Sequence, residues 1–154
     1  DELDGKDYYF LNENEFLARV QNDEILENAV VHGCHYGVLK SEVLSRLAEG
    51  KDVLLNIDVQ GAASVKKSSK GNLILRSSLL TVFLCPPSLK ELENRLRGRG
   101  DNSEKDINRR LEIAEKEISQ KFLFDHSIIS STREADLEAM KTVIQTARDS
   151  LNKQ

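Results

Sequence analysis

The chain has 154 residues, 39% of them hydrophobic and 31% charged, and carries 26 Asp and Glu against 22 Lys and Arg for a formal charge of -4. That length suffices for one domain with its own hydrophobic core, and the acidic balance excludes the broad basic field of a general nucleic-acid binder. No apolar run reaches the length of a membrane span and the first residues lack a signal peptide's apolar stretch, so neither nucleic acid nor membrane is expected as a partner.

After Gly5, "DYYFL" reads as a short aromatic-rich strand. "NENEFLARVQNDE" predicts a helix capped by Asn12 or Asn14, with Phe16, Leu17 and Val20 on one face. "ILENAVVHG" and "CHYGVLK" predict a strand pair turning near Gly33. Ser41 is placed to cap "EVLSRLAEG", whose Val43, Leu44 and Leu47 form an inner face and whose Gly50 ends it. "DVLLNID", Asp52 to Asp58, is a nearly continuous apolar run, the pattern of a strand buried on both faces. A short helix from Val59 and a polar "KKSSKGN" follow.

"LLTVFLC", Leu79 to Cys85, repeats the buried-strand pattern and breaks at Pro86 and Pro87, after which Ser88 caps "LKELENRLRGRG". A charged helix is predicted from about Ser103 to Gln120, a short strand at "DHSIIS", and an amphipathic helix from Glu134 onward. Strands alternating with helices predict an α/β fold with a mostly parallel sheet flanked by helices. Ligands in such sheets sit beyond the carboxyl ends of the strands. Asp58 ends one predicted strand, and the arginine cluster follows another.

Cys34 and Cys85 lie far apart, which predicts reduced thiols in a cytoplasmic compartment. His32, Cys34 and His35 alternate and lack a fourth ligand, so a structural role is expected for them and no zinc.

The arginines are the chemical oddity of an acidic chain. On a continuous helix Arg95 and Arg99 share a face while Arg97 points elsewhere, Gly98 and Gly100 interrupt the segment, and Arg110 lies on the next helix. Guanidinium groups pair with phosphate bidentately and keep their charge near neutral pH. The same residues also fit a solvated face paired with Glu91, Glu93, Glu104 and Asp106. Near the start, Tyr8, Tyr36, Glu2 and Glu27 offer hydroxyls and carboxylates. An ionised carboxylate accepts from the adjacent ring N–H and amino group of guanine, but meets a lone pair on adenine. Taken singly, each of these residues also fits an ordinary structural role.

"DGKDYYF", "DEILENA", "HGCHYG", "GKDVLLNIDVQGA", "PPSLKELENRLRGRG" and "INRRL" follow one another in an order and spacing that resembles guanylate kinase over essentially the whole chain. The resemblance implies a P-loop nucleoside-monophosphate-kinase-like α/β fold with a mostly β GMP-binding subdomain and a small helical lid. It implies a single domain: residues 1–38 binding GMP, 39–94 and 121–154 forming the core, 95–120 the lid. It further implies transfer of the terminal phosphoryl of ATP to GMP or dGMP, with Mg²⁺ accompanying ATP and no metal held by the protein alone. By position, Tyr8 and Tyr36 match residues that hold the GMP phosphate. Glu27 and Asp58 match the carboxylates that read guanine, and Glu2 matches the pocket margin. Arg95, Arg99 and Arg110 match catalytic arginines that close over the ATP phosphates. The alternative within the same fold is a non-catalytic protein-interaction module of a scaffold protein.

Three departures from the family pattern carry expectations of their own. No G-x-x-x-x-G-K-[ST] run occurs in these residues, so an N-terminal phosphate-binding segment is expected upstream and the fragment alone is expected not to turn over ATP. Val38 stands where the family has Ser or Thr and cannot donate to guanine's oxygen. Asn56 stands where an acidic residue often precedes the Ile-Asp pair.

Overall fold

In the computed structural model residues 2–31, 33–98 and 103–151 are described; the expectations for His32, Arg99 and Gly100 lie outside them. The chain packs as two compact units, Asp1–Leu79 and Leu80–Gln154.

In the first unit "DYYFL" is a closed loop, not the expected strand. Tyr8 makes a single parallel bridge with Asp4. The Gly5 N–H donates to the Tyr8 carbonyl at 2.7 Å, and the Phe10 N–H donates to Asp4 Oδ1 at 2.9 Å. The Asp4-Gly5 turn, with Gly5 at φ 72°, folds the segment onto itself before it can join a ladder. Helix α1 (Glu13–Gln21) starts at a capping box: Asn12 accepts from the Glu15 N–H while Glu15 accepts from the Asn12 N–H.

Strands β1 (Ile25–Val31) and β2 (Cys34–Leu39) form the expected antiparallel hairpin. Its register shifts between Ile25 and Glu27, so Leu26 is an inserted residue. Such a bulge re-aims side chains. Here the consecutive residues Leu26 and Glu27 both serve helix α3 (Val59–Ser69). Leu26, 2% exposed, clusters with Val65, and the Glu27 carboxylate reaches Gly61 one helical turn earlier. Helix α1 covers the opposite face, where Phe16 stacks on His35 with ring centroids 5.2 Å apart.

Helix α2 (Lys40–Ala48) begins one residue before the expected cap: Leu39 is its N-cap, without a side-chain bond, and Ser41 lies inside the first turn. Strand β2 runs straight into the helix, and the Lys40 N–H is satisfied by the Glu24 carbonyl at 2.8 Å, so no serine cap is required. Gly50 ends it at φ 73°, with the Gly50 and Lys51 N–H groups returning to the carbonyls of Leu47 and Arg46.

"DVLLNID" forms no ladder among the described residues and is covered on one side only. Val53, Leu55 and Ile57 pack on the core of Leu26, Val43, Val65 and Leu75, whereas Leu54 is 82% exposed. The period-two alternation is that of an extended chain, but composition could not say which face would be covered. Helix α3 absorbs the first residues of the polar stretch, and helix α4 (Leu73–Ser78) closes the unit.

In the second unit β3 (Val82–Cys85) and β4 (His126–Ile129) pair in parallel, the α/β arrangement expected from the sequence. The pair is tied at its start by Asp125, whose Oδ2 accepts from the Thr81 N–H at 2.8 Å and the Thr81 hydroxyl at 2.6 Å. Leu84 is exposed, so β3 too is buried on one face rather than both. Helix α5 (Leu89–Gly98) is capped by Ser88, and α6 (Glu104–Ser119) by Ser103. A 3₁₀ turn at Lys121–Leu123 precedes β4, and α7 (Arg133–Leu151) follows it. Helix α5 includes Gly98, so this glycine does not interrupt it as the sequence suggested. Cys85, Leu96, Ile107 and Ile128 are buried within this unit. Among the described residues no helix is long and apolar enough to cross a membrane.

Candidate functional site

The hairpin register builds the first part of the site. Glu27 pairs with Val38, and Ala29 with Tyr36, so these four residues share one face of β1 and β2, opposite the face covered by α1. Tyr8 sets its ring edge-on to Tyr36, with centroids 6.0 Å apart and an interplanar angle of 68°. The closed Asp4–Phe10 loop thus delivers one tyrosine to the strand that carries the other, and both rings are 44% exposed. A third aromatic anchors the loop: the Tyr9 hydroxyl donates to Glu42 Oε1 on α2 at 3.1 Å. The Glu42 carboxylate raises the Tyr9 pKa, through that hydrogen bond first and by its charge second.

The carboxylates converge on α3. Asp58 is its N-cap, and Oδ1 accepts from the Gly61 N–H at 2.7 Å, a bond that fixes the carboxylate at the helix start. Gly61 also borders Glu27. A Cβ there would lie 2.9 Å from Glu27 Oε2, so the missing side chain gives the Glu27 carboxylate room, while Asp58 Oδ1, at 3.4 Å, is in ordinary contact. Burial raises the Glu27 pKa above the ordinary carboxylate range, and the neighbouring Asp58 charge raises it further. Two neighbouring carboxylates, one on the hairpin face and one at the start of α3, suit a ligand edge with two adjacent N–H donors.

Not every sequence-predicted residue joins this group. Glu2 is exposed near the start of the described chain. Val38 sits beside Glu27 in the register but packs against the hydrophobic core, which explains an apolar residue there in structural terms. Gly61, Tyr9 and Glu42 are additions. Gly61 stood in the quoted "DVQGA" without a role, since spacing along the chain does not show which side chains approach its Cα.

The second unit holds the arginines. Arg95 donates from Nε to Glu91 Oε1 at 3.2 Å and from Nη1 to the Ser130 hydroxyl at 3.1 Å. Arg97 is bound to Glu93 at 2.9 Å and bidentately to Glu104, so it joins α5 to α6 and is engaged within the protein. Those bonds, to Glu104 first and Glu93 second, raise the Arg97 pKa, and the Arg97 guanidinium in turn holds both glutamates below the usual carboxylate range. The paired-face reading therefore describes Arg97 well. Arg110 lies exposed on α6, and Arg99 is outside the described residues.

A family model described as guanylate kinase matches residues 1–147. The guanylate kinase of Thermotoga maritima is 42% identical over 147 residues, covering 96% of this chain and 68% of that protein. The guanylate kinase of Bifidobacterium longum is 46% identical over 132 residues, covering 85% of this chain and 66% of its own length. The crystal structure of guanylate kinase from Anaplasma phagocytophilum superposes with a TM-score of 0.68 at 31% identity, over 94% of this chain and 67% of that one. The chain thus spans about two thirds of the length of these proteins. Sequence over nearly its full extent and backbone shape agree: the chain belongs to the guanylate kinase family, and is a nucleotide-binding kinase of the transferase class.

Proposed function

We propose that the face carrying Tyr8, Tyr36, Glu27 and Asp58 binds GMP and that Arg95, Arg99 and Arg110 act on the ATP side, in the reaction ATP + GMP giving ADP + GDP. The observation that carries this reading is the approach of the Glu27 and Asp58 carboxylates across Gly61. Ionised, they accept from guanine's ring N–H and amino group and leave adenine unpaired, which is the effective form of rejection. The hydroxyls of Tyr36, on the same face, and of Tyr8, on the loop against it, donate to the GMP phosphate. Glu2 is assigned to the margin of this pocket.

The reaction needs no covalent intermediate. Its barrier falls by alignment of the two phosphates and by neutralisation of the charge between them, which is the work assigned to the arginines. Mg²⁺ enters with ATP and supplies charge neutralisation across the phosphates. Mg²⁺ typically takes phosphate oxygens, waters and few carboxylates. Within this reading residues 1–38 form the GMP-binding subdomain, 95–120 the lid, and 39–94 with 121–154 the core. The free thiols of Cys34 and Cys85 support a cytoplasmic setting.

Titration of the chain with GMP and AMP tests the proposal. Wild type should prefer GMP, and Glu27→Ala and Asp58→Ala should each weaken GMP by roughly 10- to 100-fold, the worth of a hydrogen bond to a charged group. Equal affinity for the two nucleotides, or full GMP affinity in both variants, would count against it.

A further inference from the structure

We propose that Ser130 and Asp136 are positioning residues for Arg95, holding its guanidinium in one orientation from behind while its outer edge serves the phosphate. The proposal rests on the reading of Arg95 as an ATP-side arginine.

The geometry is a directed chain of hydrogen bonds. Arg95, on α5, donates from Nη1 to the Ser130 hydroxyl at 3.1 Å. That hydroxyl donates its own proton to Asp136 Oδ2 at 2.7 Å. The other oxygen, Oδ1, accepts from the Ser131 N–H at 2.8 Å, which fixes the carboxylate against the loop between β4 and α7. Ser130 is 7% exposed and directly follows β4, so the chain ends on a rigid element. A hydroxyl that gives its proton to a carboxylate is a better acceptor, and the arrangement lets the Asp136 charge reach Arg95 through Ser130.

Arg95 also donates from Nε to Glu91 one turn earlier on its own helix. Among the described residues these bonds engage Nε and Nη1, leaving the Nη2 amino group for an anion. The Asp136 carboxyl is held below its usual range by the Ser131 N–H first, then the Ser130 hydroxyl, with a smaller part from Arg95. It therefore stays charged throughout the neutral range. An arginine side chain has many rotamers, and ordering it in advance removes an entropic cost that a ligand would otherwise meet. Glu91 alone would restrain only the Nε side. Ser130 adds a second restraint from a different element, and two restraints define the plane of the guanidinium.

The test combines ¹⁵N NMR of the arginine side chains with ATP calorimetry on the full-length protein. In wild type, rotation of the Arg95 guanidinium should be slow. In Ser130→Ala and Asp136→Ala it should quicken by about tenfold or more, and Ser130→Thr, which keeps the hydroxyl, should restore it. Asp136→Asn, the gentler change, serves if Asp136→Ala does not fold. ATP affinity should fall severalfold in Asp136→Asn and not fall further when Asp136→Asn is added to Arg95→Ala, a non-additivity that a general loss of stability would not produce. Unaltered guanidinium motion in the serine and aspartate variants overturns the role of Ser130 and Asp136. Unaltered ATP affinity in Arg95→Ala overturns instead the placing of Arg95 on the ATP side.

Discussion

At the scale of single residues, the site depends on a destabilising proximity. Glu27 ionises less readily than an ordinary glutamate, because burial first and Asp58 second oppose its charge. The sign follows from linkage. A carboxyl with a raised folded-state pKa binds its proton more tightly in the folded chain, so its contribution to stability is fully present below the unfolded value and is lost as pH rises through the folded value. Glu27→Gln should therefore raise the melting temperature at pH 7.5 and give little or no gain at pH 4, measured by thermal denaturation at both; an equal gain at the two values would refute the pairing with Asp58. GMP affinity should run the other way, rising with pH as Glu27 ionises. Gly61 supplies the complementary test. Gly61→Ala places a methyl 2.9 Å from Glu27 Oε2. It should weaken GMP about tenfold, while the helix propensity gained, up to ~1 kcal/mol, is offset by the contact of the same methyl with the Ile57 Cβ at 3.1 Å, so affinity falls with little net change of melting temperature. Unchanged affinity would show that the glycine is not part of the pocket.

At the scale of elements, the hairpin bulge joins stability to recognition. Leu26 fills the core and Glu27 comes up to Gly61 because one extra residue separates their register. Leu26→Ala should cost about 2–5 kcal/mol of stability by chemical denaturation. Leu26→Met, nearly equal in volume, should cost under ~1.5 kcal/mol; similar losses in both would argue against tight packing there. Arg97 presents the opposite case, an exposed ion-pair hub joining α5 and α6. Arg97→Ala should lower the melting temperature modestly at low salt and less in high salt, with GMP affinity intact.

Much of this scale was legible in the sequence. The Ser88 cap, the hairpin turning near Gly33, the Gly50 stop and the parallel β3–β4 pair all follow from local patterns, which left Asn12 and Asn14 both open as the α1 cap. The misreadings have a common cause. "DYYFL" has the composition of a strand, but Asp4 and Gly5 close it into a loop. "DVLLNID" has the alternation of one, but ladder formation and burial depend on neighbours that composition does not name. Tyr8, Tyr36, Glu27 and Asp58 were legible only through their order along the chain. The approach of Glu27 to Asp58 across Gly61 required the register of β1 on α3. Ser130 and Asp136 carried no signal, since nothing local marks a serine as the support of an arginine 35 residues away.

At the scale of the whole molecule, an acidic chain handling phosphorylated substrates places its cations locally and leaves the overall field negative. It should therefore show no retention on duplex DNA or RNA at physiological salt in a gel-shift assay, whereas binding that weakens steeply with added salt would reveal a basic track. The chain spans about two thirds of the length of the related guanylate kinases, and the face proposed to read guanine lies within the single unit Asp1–Leu79. The most direct measurement is calorimetric comparison of GMP with IMP, which lacks the exocyclic amino group, in wild type and Glu27→Gln at pH 7.5. Wild type should favour GMP by about tenfold or more, and the glutamine variant should lose most of that preference. Equal binding of the two nucleotides by wild type, or an undiminished preference in Glu27→Gln, would contradict carboxylate reading of guanine.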